Sequence, residues 1–242
     1  SAYKPFVYAA ALEGDFTPAS IVLDAPISFA GGANGGRWTP ENYSRQYYGP
    51  QSLRRGLELS RNVMTVRLAQ SVGMDNIVAL SEKMGVADNL TPNLSVSLGA
   101  GETTPYRLTA AYAAFANGGL RVAPFAVETV HDAQGHLLYQ AHPSPTRVMR
   151  ASTAFLLTQA LKDVFGPEGT APGQAPGRPA AGKTGTSDGN RDAWFAGYTP
   201  ELVAVVHLGY DKGRRSLPGS GGTLAAPIWS EFVRRALAAV AL

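Results

Sequence analysis

Ala181-Gly182-Lys183-Thr184-Gly185-Thr186 (181–186) is the stretch on which the fold turns. It follows a Gly- and Pro-rich segment (166–179) and reads as the middle of a strand, 180–187. Two more strand candidates come close behind, at 193–198 and 202–210, and the short turns between them require antiparallel pairing. Gly185 removes a side chain from the first of these strands, so that another group can approach the backbone closely. Lys183 fits either a site residue or the protective lysine of an exposed sheet edge.

Upstream of this sheet the pattern is mainly helical. Ser1 to Leu12 reads as a helix that is apolar almost all round and ends on Gly14. Pro5 is tolerated only in a first turn, which puts the helix start near Ala2 and Ser1 at its N-terminus. Residues 14–50, rich in Gly, Pro, Asn and Tyr, read as a long irregular connection of functional length. Helical periodicity recurs near 51–58, 62–72, 75–84, 104–117 and 151–165. A hairpin is expected where 125–131 and 136–139 flank Asp132-Ala133-Gln134-Gly135. A closing amphipathic helix, 224–239, offers Ile228, Trp229, Phe232, Val233, Leu237 and Val240 to one sheet face.

Two further motifs give Lys183 a context. Ser1-Ala2-Tyr3-Lys4 is the chain's only Ser-x-x-Lys, and Ser60-Arg61-Asn62 its only Ser-x-Asn. A serine hydroxyl is a weak nucleophile until a base takes its proton. Residues three apart on a helix share a face, which brings an extended Lys4 amine within reach of the Ser1 hydroxyl. To accept that proton the lysine must be neutral, a state favoured by burial and by a second amine such as Lys183. Ser60 and Asn62 fall between two helical segments, where one can relay a proton and the other hold a substrate amide, or where both serve as a helix cap. The N–H groups of Thr186 and Ser1 would form an oxyanion hole, and Lys183, Thr184 and Thr186 would hold a carboxylate. If Ser1 is a free amino terminus, one of those donors is misplaced and the chain is expected to be nearly inactive.

Composition excludes several alternatives. At 242 residues the chain can build one substantial core. No window approaches the ~18 unbroken apolar residues of a membrane span, and a soluble chain is expected. Twenty-one Lys and Arg against 18 Asp and Glu give a net charge of +3, scattered rather than striped, which argues against a nucleic-acid partner. There is no cysteine, so disulfides and thiolate chemistry are out. The glycine-rich run 31–36 lacks the Lys-Ser/Thr of a phosphate loop and reads as a flexible loop. His131, His136, His142 and His207 have no metal-site spacing. Tyr43, Tyr47 and Tyr48 fit equally a substrate groove or loop packing.

The ordered set Ser-x-x-Lys, Ser-x-Asn, Lys-Thr-Gly is that of serine enzymes that react with penicillin. With Tyr48-Gly49-Pro50 and the runs 1–8, 97–105, 110–119, 181–186, 191–200 and 225–229, the chain resembles the transpeptidase domain of bifunctional, class A penicillin-binding proteins nearly end to end. Ala2-Tyr3 departs mildly from the commoner Ser-Phe or Thr-Phe. The resemblance implies an α/β (α+β) fold of the penicillin-binding protein and serine β-lactamase type. Its antiparallel sheet is flanked by helices beside a mainly helical lobe, all within one domain, 1–242. It implies a D,D-transpeptidase, with possible D,D-carboxypeptidase side activity, that cross-links peptidoglycan stem peptides ending in D-Ala-D-Ala and is inhibited by β-lactam antibiotics. Carried over by position, Ser1 is the nucleophile, Lys4 the base, Ser60 the relay and Asn62 a substrate-amide ligand, with Lys183, Thr184 and Thr186 as carboxylate binders beside Gly185. No cofactor and no metal is implied.

The abrupt start at Ser1 reads as the edge of a piece of a longer polypeptide. In family members a membrane anchor, a glycosyltransferase domain and the first strands of the sheet come before this point, which implies a periplasmic, extracytoplasmic location. A β-lactamase and a β-lactam-sensing receptor domain share the three motifs. Glu82, Glu102 and Glu128 lack the Glu-x-x-Leu-Asn context of class A lactamases, and the run 191–229 argues against a sensor.

Overall fold

The computed structural model describes residues 1–30, 36–211 and 215–240, so the glycine-rich run expected to be a loop lies, apart from Gly36, outside the described residues. Seven helices are described: α1 (Lys4–Glu13), α2 (Leu53–Glu58), α3 (Asn62–Val72), α4 (Met74–Met84), α5 (Pro105–Ala116), α6 (Ala151–Lys162) and α7 (Ala226–Ala236). The strands are β1 (Ile21–Asp24), β2 (Phe29–Ala30), β3 (Arg37–Trp38), β4 (Gly49–Ser52), β5 (Leu120–Arg121), β6 (Thr129–His131), β7 (Leu137–Gln140), β8 (Thr146–Arg147), β9 (Ala181–Thr186), β10 (Asp192–Tyr198) and β11 (Val203–Gly209).

The sheet that matters is β11-β10-β9, antiparallel throughout as the short turns require. Trp194 on β10 stands opposite Gly185 on β9 and His207 on β11, so the three share a face, and the alternation of a strand puts Lys183 there too. That face meets α1. Every residue of α1 except Glu13 is buried, because the helix runs through the centre of the larger core among α2, α3, α4 and α6. This is why the sequence shows no polar stripe over 4–12.

The opposite sheet face carries a second core of Phe195, Trp229, Val233 and Leu237 with Val164 and Ala171. The Trp229 indole also donates to the Ala204 carbonyl at 3.0 Å. Trp229, Val233 and Leu237 are four apart and form one stripe. Ile228, Phe232 and Val240, expected to cover the sheet as well, lie off that stripe and are exposed. α7 also starts two residues late, because Gly221–Ala225 forms a π-turn. Gly221 explains the turn: a Cβ there would sit 2.3 Å from the carbonyl oxygens of both Gly185 and Trp194.

The segment 14–50 is less irregular than expected, since β1 pairs with β4 and β2 with β3. The β6–β7 hairpin forms around Gly135 (φ +87°), with its first strand limited to Thr129–His131 and a bulge at Val130/His131. Among the described residues no helix is long and apolar enough to cross a membrane.

Candidate active site

Ser1 is half-buried on a turn that precedes α1. Pro5 has no N–H to reach back to Ser1, and the Lys4 N–H takes the Ser1 carbonyl instead at 3.1 Å, which delays the helix start to Lys4. Two tyrosines fix this turn. Tyr112 on α5 donates to the Ala2 carbonyl at 2.7 Å, and the Tyr3 hydroxyl pairs with Ser81 on α4 at 2.7 Å. Burial pushes the Tyr3 phenol up to about 12, so it stays a neutral hydrogen-bonding group. The close approach that Gly185 permits is made by Ala2, whose Cβ and nitrogen would lie 3.3 Å from a Cβ at 185. Trp194 closes the same space from β10 at 3.0 Å.

Ser60 lies between α2 and α3 with φ +54°, a left-handed conformation that is strained for a residue with a side chain. Its hydroxyl is the meeting point of the three motifs. Lys4 Nζ donates to Ser60 Oγ at 3.0 Å, to the Ser60 carbonyl at 2.6 Å and to Asn62 Oδ1 at 2.6 Å. Lys183 Nζ donates to the same Ser60 Oγ at 2.8 Å and to the Thr184 carbonyl at 3.1 Å. Both lysines have 0% exposure, and neither forms an ion pair among the described residues. Burial, then the neighbouring Lys183, holds the Lys4 amine well below its ordinary range; burial pushes Lys183 down to about 7. The three recorded bonds of Lys4 go to Ser60 and Asn62 rather than to Ser1, which differs from the direct Lys4–Ser1 pairing expected from helix spacing.

Ser60 and Asn62 are free to do this because neither caps α3. The cap comes from Asn42, in the long connection, whose Oδ1 accepts from the Asn62 N–H at 2.9 Å and the Val63 N–H at 3.3 Å. Asn42 is itself fixed by the buried Asp24 carboxylate on β1, at 2.8 and 3.0 Å. Asn62 Nδ2 donates to the Glu41 carbonyl at 2.8 Å, which leaves its Oδ1 turned to Lys4.

A cleft of about 780 Å³ opens over Ser1, bounded by Asn62, Gly185, Thr186, Trp194 and Glu102. The Ser187 N–H donates to the Asp192 carbonyl at 3.0 Å, so strand alternation turns the Thr186 N–H away from β10 to the free edge of the sheet. The Ser1 nitrogen donates to the Leu98 carbonyl at 3.1 Å. Thr186 Oγ1 accepts from the Gly221 N–H at 3.0 Å and keeps its own proton to donate. Thr184 is more recessed: it is buried, and its hydroxyl pairs with Thr170 at 2.7 Å.

Tyr43, Tyr47 and Tyr48 do not border the cleft. Tyr43 is exposed and Tyr48 stacks under the Arg61 guanidinium at 3.4 Å. The connection contributes Trp38 to the cleft instead. His207 also borders it, stacked on Trp194 with centroids 4.0 Å apart and bonded to Asp192 at 2.9 Å. Asn42, Trp38 and His207 act through contacts distant in sequence, and no local pattern marks them.

This fold is that of serine acyl-transfer domains, and comparison with known proteins agrees. Residues 1–234 match the penicillin binding protein transpeptidase domain, and the chain belongs to that family. It is 39% identical to penicillin-binding protein 1A of Neisseria lactamica over 98% of its own length and 31% of the relative's. Against penicillin-binding protein 1A of Pseudomonas aeruginosa the identity is 33%, covering 98% and 35%. The crystal structure of penicillin-binding protein 1A from Haemophilus influenzae superposes with a TM-score of 0.92 at 30% identity, over 100% of this chain and 42% of that one. The structure of the PonA1 protein from Mycobacterium tuberculosis in complex with penicillin V gives 0.86 at 26%, over 98% and 68%. The chain thus spans about a third of the length of the curated relatives it matches.

Proposed function

We propose that the chain is the acyl-transfer part of a peptidoglycan D,D-transpeptidase, with Ser1 as nucleophile. The observation that carries this reading is the Ser60 hydroxyl, held between two buried lysines at 3.0 and 2.8 Å, a group of three residues drawn from three separate sequence motifs. Lys4, with its depressed proton affinity, takes the Ser1 proton as the serine oxygen attacks the carbonyl of the penultimate D-alanine. The Thr186 N–H receives the developing oxyanion. As the C–N bond breaks, the proton returns through Ser60 to the amine of the departing D-alanine. Lys183 and Thr186 hold the substrate carboxylate, with Thr184 behind them; Asn62 holds the amide before the scissile bond. An amine from a neighbouring stem peptide then attacks the ester and gives its proton to Lys4, which passes it to the Ser1 oxygen as the C–O bond breaks and Ser1 is released. In a β-lactam the broken amide stays tethered, so the acyl group persists.

Activity on stem peptides implies work on the extracytoplasmic side of the cell membrane. The remaining two thirds of proteins such as these relatives would supply the membrane anchor and a glycosyltransferase. We place all 242 residues in one transpeptidase domain, since both cores share the β9–β11 sheet. Fluorescent penicillin tests the reading by labelling Ser1 with a single burst, and D-alanine release from a stem peptide tests it further. Rapid turnover of penicillin would make the chain a lactamase. Labelling with no peptide reaction at all would make it a sensor.

A further inference from the structure

Ser60 ends one helix before it serves the lysines. Across the end of α2 the Ser60 N–H donates to the Leu57 carbonyl at 3.1 Å and the Arg61 N–H to the Gly56 carbonyl at 2.9 Å. This pair of bonds makes a helix end in which one residue takes the left-handed conformation, a place usually filled by glycine. Here Ser60 fills it, with φ +54°. Glycine would relieve the strain but would also remove the hydroxyl that meets Lys4 at 3.0 Å and Lys183 at 2.8 Å. A residue with a side chain persists in this conformation only where its surroundings over-determine it.

Upstream of Ser60 the restraint is α2 itself. Downstream, Asn62 is tied by its N–H to Asn42 and by its Nδ2 to the Glu41 carbonyl. Arg61, between the two motif residues, has a separate anchor. Its guanidinium lies over the Tyr48 ring, 3.4 Å from the centroid, and its Nε is buried with no hydrogen-bond partner among the described residues. Tyr48 is fixed in turn. Its hydroxyl lies 3.2 Å from both Ser44 Oγ and Gln46 Oε1, and the next residue, Gly49, starts β4 opposite Asp24, whose carboxylate holds Asn42. Tyr48-Gly49-Pro50 therefore ties the strained turn to the same frame that caps α3.

We propose that Tyr48 and Arg61 are positioning residues, whose stack holds the Ser60 backbone in the left-handed conformation that turns its hydroxyl to both lysines. This inference rests on the acyl-transfer reading of Ser1. Without the ring, the backbone that follows Ser60 loses its side-chain anchor, and Ser60 relaxes toward an ordinary φ and away from the lysines. A cation stacked on a partly exposed ring accounts for roughly a three- to ten-fold fall in the acylation rate constant. Penicillin binding before acylation is unaffected, because neither Tyr48 nor Arg61 borders the cleft.

The test follows acylation by rapid quench over a range of penicillin concentrations, which separates the binding constant from the acylation rate constant. It uses the chain in its natural full-length context, as wild type, Tyr48→Phe, Tyr48→Leu, Arg61→Lys, Arg61→Met and the double variant Tyr48→Leu/Arg61→Met. The expected result is a rate constant lowered by that factor in Tyr48→Leu and Arg61→Met, with binding unchanged and the double variant no slower than the slower single one. Tyr48→Phe, which keeps the ring, and Arg61→Lys, which keeps a cation, stay close to wild type. Rate constants are read only from sites that become labelled, so protein lost to misfolding does not enter. A stack that merely stabilises the fold lowers the melting temperature and the labelled fraction but leaves the rate constant at the wild-type value, and that result overturns the proposal. So do additive effects of the two single changes, or a Tyr48→Phe variant as slow as Tyr48→Leu, which would assign the effect to the hydroxyl. Wild-type protein that takes no label removes the acyl-transfer reading, whereas wild-type labelling with unaltered rate constants in Tyr48→Leu and Arg61→Met removes only the role of the stack.

Discussion

Ser60 shows what a single residue can be made to do. A hydroxyl has two acceptor sites and one proton, and here both acceptor sites face lysines, so the proton is available to a third group. The arrangement depends on a lysine that can lose its charge. Lys4→Arg is therefore expected to abolish penicillin labelling as fully as Ser1→Ala, since a guanidinium stays protonated. Intact-mass measurement checks this, and acylation of the arginine variant within a few-fold of wild type would make Lys4 an electrostatic residue only. The buried amines also set the pH dependence of stability. Folded Lys183 keeps its proton up to about pH 7 and an unfolded lysine up to about 10.4. Between these values the unfolded chain binds the extra proton, so stability rises with pH, and the penalty of the buried charge is fully present below 7. Lys4 acts in the same direction. We expect a higher melting temperature at pH 9 than at pH 7, with a shallower slope in Lys183→Met; a wild-type curve flat across this range would contradict the depressed values.

Among elements, α3 and the π-turn before α7 are the ones whose ends decide the site. α3 is capped from outside by Asn42, and this frees Ser60 and Asn62 for the lysines. Asn42→Ala removes the cap and leaves the Asp24 carboxylate without its amide partner. A loss of about 1–3 kcal/mol in unfolding free energy is expected, with slower penicillin acylation because Ser60 and Asn62 lose their anchor. Denaturant titration and labelling kinetics check both parts. The Ser60-Arg61-Asn62 motif was equally legible as a cap, and sequence could not decide between the two readings because the competing cap lies twenty residues upstream in an irregular segment. Gly221 presents the same lesson. A methyl group there meets two carbonyl oxygens of the sheet at 2.3 Å, so Gly221→Ala must displace either β9 or the turn. Reduced thermal stability and lowered acylation together are the expected outcome, and an alanine variant with wild-type melting would show that the turn can shift freely.

In the whole molecule, one sheet separates two cores and gives each face a task. Lys183 stands on the face of the larger core, whereas Thr184 and Thr186 alternate to the face that Trp229, which has 0% exposure, supports. Trp229→Ala opens a cavity in the smaller core and is expected to lower stability by about 3–5 kcal/mol. Penicillin labelling of the fraction that remains folded should survive, because no group on that face is bonded to Ser60; loss of labelling at full folding would show that the cores are coupled. The amino-acid sequence by itself determined the helical lobe, the antiparallel β9–β11 sheet, the buried character of α1 and the three motifs. These are written in local periodicity, in Gly and Pro positions and in short spacings. It misjudged half of the α7 face, since Ile228 and Phe232 differ from Trp229 and Val233 only by one step around the helix, and both stripes are apolar. Only the tertiary structure decided that Lys4 turns to Ser60 and Asn62, that Asn42 caps α3, and that Trp38, Asp188 and His207 border the cleft. The physical reason is that hydrogen bonds and burial act through space: a lysine's proton affinity and a cap's identity are set by groups that the fold, and not the chain order, makes neighbours.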